Sequence, residues 1–194
     1  MNEPMTTAED GGLTGQLLIA MPGMLDPRFA HSVVYLCAHS PEGAMGLILN
    51  KPVADLGLRE LLGQLDVAVT DDFRGAPLHF GGPVEQGRGF VLHTPDYESP
   101  VATLQVDASV SMTATMDILE EIGAGRGPQQ RLVALGYAGW GPGQLEMELG
   151  QNGWLTCAAE TGLIFDTPNA EKWEAALRIL GVDALALSST AGHA

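Results

Sequence analysis

LVALGYAGWGPGQLEMEL, residues 132–149, decides how this chain is read. Its first part is nearly all apolar, which predicts a central strand over 131–137 covered on both faces. Glycines 136, 139, 141 and 143 then surround Trp140. Such a corner costs backbone entropy and lets another segment or a ligand approach the main chain. Gly141-Pro142 opens a short helix that carries Gln144, Glu146 and Glu148. The stretch holds no nucleophile, no metal-ligand set and no phosphate loop.

On either side of it, short β-rich runs bounded by turn residues alternate with a few helices. Ser32 to Cys37 and Ala44 to Leu49 flank the turn Ser40-Pro41-Glu42-Gly43 and read as a hairpin. Leu58, Leu61, Leu62 and Leu65 form one stripe of a helix, with Asp55 as its cap. Further strands are expected at Leu78 to Phe80, Gly89 to His93, Ala102 to Val106, Val110 to Met112, Trp154 to Ala158 and Leu163 to Phe165. A helix over 115–122 buries Met116, Leu119 and Ile122 and stops at Gly123. In the last helix Thr167 caps, Pro168 fills the first turn, Trp173, Leu177 and Leu180 form the stripe, and Gly181 ends it. Runs of strands with separate helices predict an α+β class, and the glycine-bounded strands predict a strongly bent or partly closed sheet.

The 194 residues fit a single domain, expected over 13–187, with disordered tails at 1–12 and 188–194. Net charge is −15, with Lys51 and Lys172 as the two lysines beside seven arginines. That balance repels phosphate backbones and argues against direct nucleic-acid binding. The N-terminus is polar and acidic, unlike a secretory signal, and the run Leu17 to Met21 is far too short to span a membrane. A cytoplasmic protein with no membrane partner is expected, in which Cys37 and Cys157 remain thiols.

Several residues invite a chemical reading, each beside a plainer one. His31-Ser32 and His39-Ser40 look like base and nucleophile, but neighbours on a strand point to opposite faces. No G-x-S-x-G elbow occurs. Cys37 lies in the apolar run VVYLCA, where burial raises a thiol pKa and lowers reactivity. His79, Glu85, His93 and Asp96 offer metal-capable atoms at spacings that match no zinc pattern, so no metal and no cofactor is expected. Gly81-Gly82-Pro83 and Gly123-Ala124-Gly125-Arg126-Gly127 read as turns rather than phosphate cradles, although an anion near Gly82 would find Arg88 close by. Trp140 reads either as the wall of a cleft or as the plug of a sheet corner. As a cleft, it would gather Asn50, Lys51, Arg88, His93, Trp140, Gln144 and Glu148 as binding residues. No catalytic residue is assigned.

Four blocks in order resemble the AlgH/YqgE family of bacterial proteins. They are LTGQLLIAMPGMLDPRFAHSVVYLCAHSPEGAMGLILNKP (13–52), HFGGPVEQGRGFVLHT (79–94), GYAGWGPGQLEMELGQNGWL (136–155) and FDTPNAEKWEAALRILGVD (165–183). The resemblance implies one α+β domain with a bent, bifurcated, partly barrel-like mixed sheet surrounded by helices, in a cytosolic protein. It carries no catalytic set, and members bear the label of transcriptional regulator after a role ascribed in alginate control. The expected function is therefore a non-enzymatic binding or regulatory protein that acts indirectly through protein partners, with no small-molecule ligand identified. The alternatives are a small-molecule hydrolase with a cleft near Trp140, and a direct DNA-binding regulator.

Overall fold

A computed structural model describes residues 12–190. The chain order is β1 (Gln16–Ala20), β2 (Val33–Ser40), β3 (Gly43–Ile48), β4 (Pro52–Gly57), α1 (Leu58–Gln64), β5 (Pro77–Phe80), β6 (Val84–His93), β7 (Leu104–Gln105) and β8 (Ser111–Thr113). It continues with α2 (Met116–Gly123), β9 (Arg131–Trp140), α3 (Gln144–Gly150), β10 (Trp154–Ala158), α4 (Thr161–Phe165), α5 (Asn169–Ile179) and α6 (Ala184–Thr190). The expected tails fall outside the described residues, except Gly12 and the backbone of Ser188 to Thr190, which ends α6.

The strands run β10-β1-β2-β3-β9-β6-β8-β7, with β5 also on β9 and β4 on β5. The branch arises on β9 itself. Over Val133 to Leu135 it pairs with β5 in parallel, and over Ala138 to Trp140 the same edge pairs with β3 antiparallel. Its other edge holds β6. The partner changes at Gly136, which sits at φ +73. There Gly81-Gly82 crosses β9 so closely that a Cβ on Gly82 would lie 2.0 Å from the Tyr137 carbonyl carbon. A Cβ on Gly136 would in turn lie 2.3 Å from Gly82 O. Only glycine allows this contact of backbone with backbone. The sheet is thus bifurcated, strongly bent and mixed, as the residues and the resemblance led one to expect.

Strict alternation on β1 to β3 gives the sheet two apolar faces. Leu17, Ile19, Val33, Tyr35, Leu47 and Leu49 face one way, against Leu163 and Ile164 of α4 and Ala176 and Leu177 of α5. Leu18, Val34, Leu36 and Ile48 face the other, with Trp140, Leu145 and Trp154. A third cluster lies between α1, α2 and the β5–β9–β6 arm.

Several local expectations are corrected. Leu163 to Phe165 is the end of a one-turn helix, since Leu163 and Ile164 both bury against the sheet there. Asp55 does not cap α1: it lies within β4, which runs directly into the helix. Gly57 occupies the cap position, and its N–H donates to Glu60 Oε2 at 3.1 Å. Met116 is 44% exposed, and Ile118 takes the buried place beside Leu119 and Ile122. Pro168, not Thr167, stands at the cap of α5, and Leu180 is its exposed C-terminal flank. The expected strand at Ala102 to Val106 shrinks to Leu104–Gln105.

Candidate functional site

Among the described residues, an open groove of about 740 Å³ lies at the tip of the β2–β3 hairpin, where the Trp140 end of β9 packs against β3. Met45, Val84, Leu104 and Tyr137 give it apolar walls, and His39 and Glu42 give it polar ones. Val84 and Leu104 are exposed. The reactive side chains here already have protein partners. His39 Nδ1 accepts the Leu13 N–H at 2.9 Å, so its proton sits on Nε2, which donates to Glu146 Oε1 at 2.6 Å. Ser40 Oγ accepts the Glu42 N–H at 3.2 Å. Cys37 is 1% exposed, and burial pushes its thiol up to about 12.

Trp140, Gln144 and Glu148 do meet at the glycine corner. The Trp140 indole, 7% exposed, donates from Nε1 to Glu148 Oε2 at 2.6 Å. Trp154 Nε1 donates to the same oxygen at 3.4 Å, and its ring meets Trp140 edge to face. Gln144 Oε1 accepts the Gly141 N–H at 3.0 Å and closes the first turn of α3.

The other four expected site residues lie elsewhere. Asn50 splices strand ends: Oδ1 accepts the Val33 N–H at 3.0 Å and Nδ2 donates to His31 O at 2.8 Å. Lys51 follows β3, and its carbonyl accepts the Phe80 N–H at 2.7 Å. Arg88 is exposed on β6, paired with Glu85 and lying over the Phe90 ring. His93 is wholly buried and stands opposite Arg131 in the register, at the far end of β9 from Trp140. Nine steps along the strand separate those ends, at most roughly 30 Å at about 3.3 Å per residue. His93 and Trp140 therefore share no pocket. His93 Nδ1 donates to Thr94 O at 2.8 Å, and Nε2 takes the Thr113 hydroxyl at 2.8 Å, which in turn meets Thr103 Oγ1. Burial lowers its pKa and keeps the ring neutral.

The remaining candidates are equally separate. His31 rests on the Trp173 ring while Ser32 is buried. His79 and His93 flank opposite edges of β9. Among the described residues, no three His, Cys, Asp or Glu side chains converge to hold a metal ion.

One arrangement escaped sequence reasoning. A cavity of about 170 Å³ between β5, the Arg131 end of β9 and the first turn of α5 is lined by His79, Arg131, Asn169 and Lys172. Lys172 is 2% exposed and donates from Nζ to Leu49 O at 2.8 Å. Burial lowers its pKa to about 8. His79 bonds through its ring nitrogens to Val133 O and the Asn169 side chain, each at 3.1 Å. Burial, then the neighbouring Lys172 charge, lowers its pKa. Arg131 reaches Pro128 O at 3.4 Å, while its Nε is buried without a partner. The one sequence signal was the rarity of lysine: Lys172 is one of two and lies on the inward face of α5.

Comparison with known proteins agrees with this fold. The family model described as AlgH-like matches residues 17–185. A UPF0301 protein of Cereibacter sphaeroides is 56% identical over 182 residues, covering 94% of this chain and 99% of the relative. A UPF0301 protein of Methylobacterium nodulans is 53% identical over 189 residues, covering 94% and 90%. Among solved structures, the AlgH protein from Pseudomonas aeruginosa superposes with a TM-score of 0.78 at 43% identity, covering both chains in full. The protein DIP2367 from Corynebacterium diphtheriae shares the fold, with a TM-score of 0.67 at 22% identity over 91% of this chain and 87% of its own.

Proposed function

We propose that this chain, which belongs to the AlgH-like family, is a non-enzymatic binding or regulatory protein that acts in the cytoplasm through a protein partner. The observation that carries the reading is the state of the reactive groups in the groove at the β2–β3 tip. His39, Ser40 and Cys37 are each engaged or buried, while the exposed side chains Val84 and Leu104 are apolar. A surface walled by Met45, Val84, Leu104 and Tyr137, with Glu42 as the carboxylate in its lining, suits a peptide segment with apolar side chains.

Hydrolysis near Trp140 lacks comparable support, because Glu148 is bound by two indole N–H groups and Gln144 by the backbone. Direct DNA binding is disfavoured by a net charge of −15. No helix among the described residues is long and apolar enough to cross a membrane. A transcriptional effect, where one exists, then travels through the partner.

The test is affinity capture from Cereibacter sphaeroides lysate with the wild-type chain and the double variant Val84→Asp, Leu104→Asp. Capture of a reproducible protein by the wild type and its loss in the folded variant is the expected result. Absence of any reproducible partner, or equal capture by both, overturns the reading.

A further inference from the structure

The cavity between β5, β9 and α5 is built like a receptor for an anion, although the chain as a whole is strongly acidic. Nine cationic side chains face 24 acidic ones in this sequence. Two of the nine, Arg131 and Lys172, line this one cavity. No described carboxylate lies within 4 Å of either; what sets the two apart is that Lys172 is 2% exposed and the Arg131 Nε is buried without a partner. The Lys172 ammonium is nearly sealed from solvent and has three donors, of which the structure satisfies one, at Leu49 O. The Arg131 guanidinium keeps a buried Nε–H with no acceptor.

Burying a cation without a counter-charge costs several kcal/mol even after relaxation. Natural folds rarely leave such groups unpaired unless something arrives to pair them. The surroundings add to this. The cavity opens onto Pro168 and Asn169, the first turn of an eleven-residue helix whose leading amides carry the positive end of its dipole. His79, tied to Asn169, forms the adjoining wall.

We propose that this cavity binds a small oxyanion, a phosphate or carboxylate group, between Arg131, Lys172 and the N-terminus of α5. The size fits that class. About 170 Å³ leaves room for one tetrahedral or planar oxyanion beside the two cations. The Arg131 fork supplies geometry and Lys172 a point charge. At neutral pH Lys172 is still mostly charged, since burial brings its pKa down only to about 8. The site lies apart from the β2–β3 groove, so it stands or falls independently of the proposed partner.

The experiment is calorimetric titration of the full chain at pH 7 and constant ionic strength with inorganic phosphate, then with acetate, and the same titrations of Arg131→Gln and Lys172→Met. One equivalent of anion should bind the wild type with a Kd below about 1 mM. Each substitution removes a charge-assisted hydrogen bond and should weaken binding about ten- to a hundredfold. Tighter binding of phosphate identifies a phosphate site, and tighter binding of acetate a carboxylate site. Backbone amide shifts at Asn169 and Ala170 on titration of the wild type keep the test decisive should either variant fail to fold. No binding of either anion by the folded wild type, or binding unchanged in both variants, overturns the proposal.

Discussion

Replacing Glu148 by alanine tests whether the glycine corner is architecture. Its Oε2 receives two indole N–H groups, from Trp140 at 2.6 Å and Trp154 at 3.4 Å. Both rings are more than nine-tenths buried, at 7% and 4% exposed. The short bond is charge-assisted and contributes on the order of 1.5–3 kcal/mol, while the long one adds a few tenths. Alanine would strand both donors away from water, for a total loss of about 2–3 kcal/mol. For a domain of this size that lowers Tm by about 4–12 °C. Glutamine keeps a neutral acceptor and should lose about 1 kcal/mol, or 2–4 °C. Thermal circular dichroism at pH 7 measures the shifts, and tryptophan emission reports the change around the indoles. A Glu148→Ala variant within 2 °C of wild type, or a Glu148→Gln variant as unstable as the alanine, would refute the reasoning and return Glu148 to the list of groups available for a ligand.

Three further outcomes follow from the same geometry. Burial pushes the thiols of Cys37 and Cys157 up to about 12 and about 11, so both stay protonated well above neutral pH. A disulfide reagent at pH 8 should label the native chain far more slowly than the guanidinium-unfolded one; rapid labelling of two thiols in the folded protein would contradict this. Lys172 has a folded pKa of about 8 against an ordinary value of 10.5. Between those values the unfolded chain binds the extra proton, so in phosphate-free buffer wild-type stability relative to Lys172→Met should rise with pH, by at most about 1.4 kcal/mol per unit. Urea melts from pH 7.5 to 9.5 check it, and a flat or falling difference would count against the burial of that amine. Gly82→Ala sets a Cβ against the Tyr137 backbone and should cost more than about 4 kcal/mol, which a wild-type thermal melt would disprove.

The hairpin, the Trp140 corner and the Pro168–Gly181 helix were legible because each is written in contiguous residues: a turn flanked by β-branched runs, a glycine cluster, a stop at Gly181 with φ +70. Leu163-Ile164-Phe165 misled because strand propensity in three residues yields to burial against the sheet. Pro52–Gly57 stayed hidden because its proline and the left-handed Asp55, at φ +61, do not look like a strand. The cavity lined by Arg131 and Lys172 was illegible for a different reason. His79, Arg131 and Lys172 come from distant parts of the chain and meet only because β5 and β9 pair in parallel beneath α5. Asn50 and His93 read as site residues because polar side chains at strand ends look functional; the fold uses them to splice strands and to fill a buried hydroxyl network.

The sharing of β9 between two arms of the sheet bears on how this protein comes apart. Neither arm owns the strand, so neither can peel away without stripping hydrogen bonds from the other. Partial opening should then be confined to peripheral elements such as β7 and the short α3. Backbone amides of Leu132 to Leu135 should exchange with deuterium together, at the rate set by complete unravelling of the molecule. A protease would then find its nicking sites in the connections rather than in a released half.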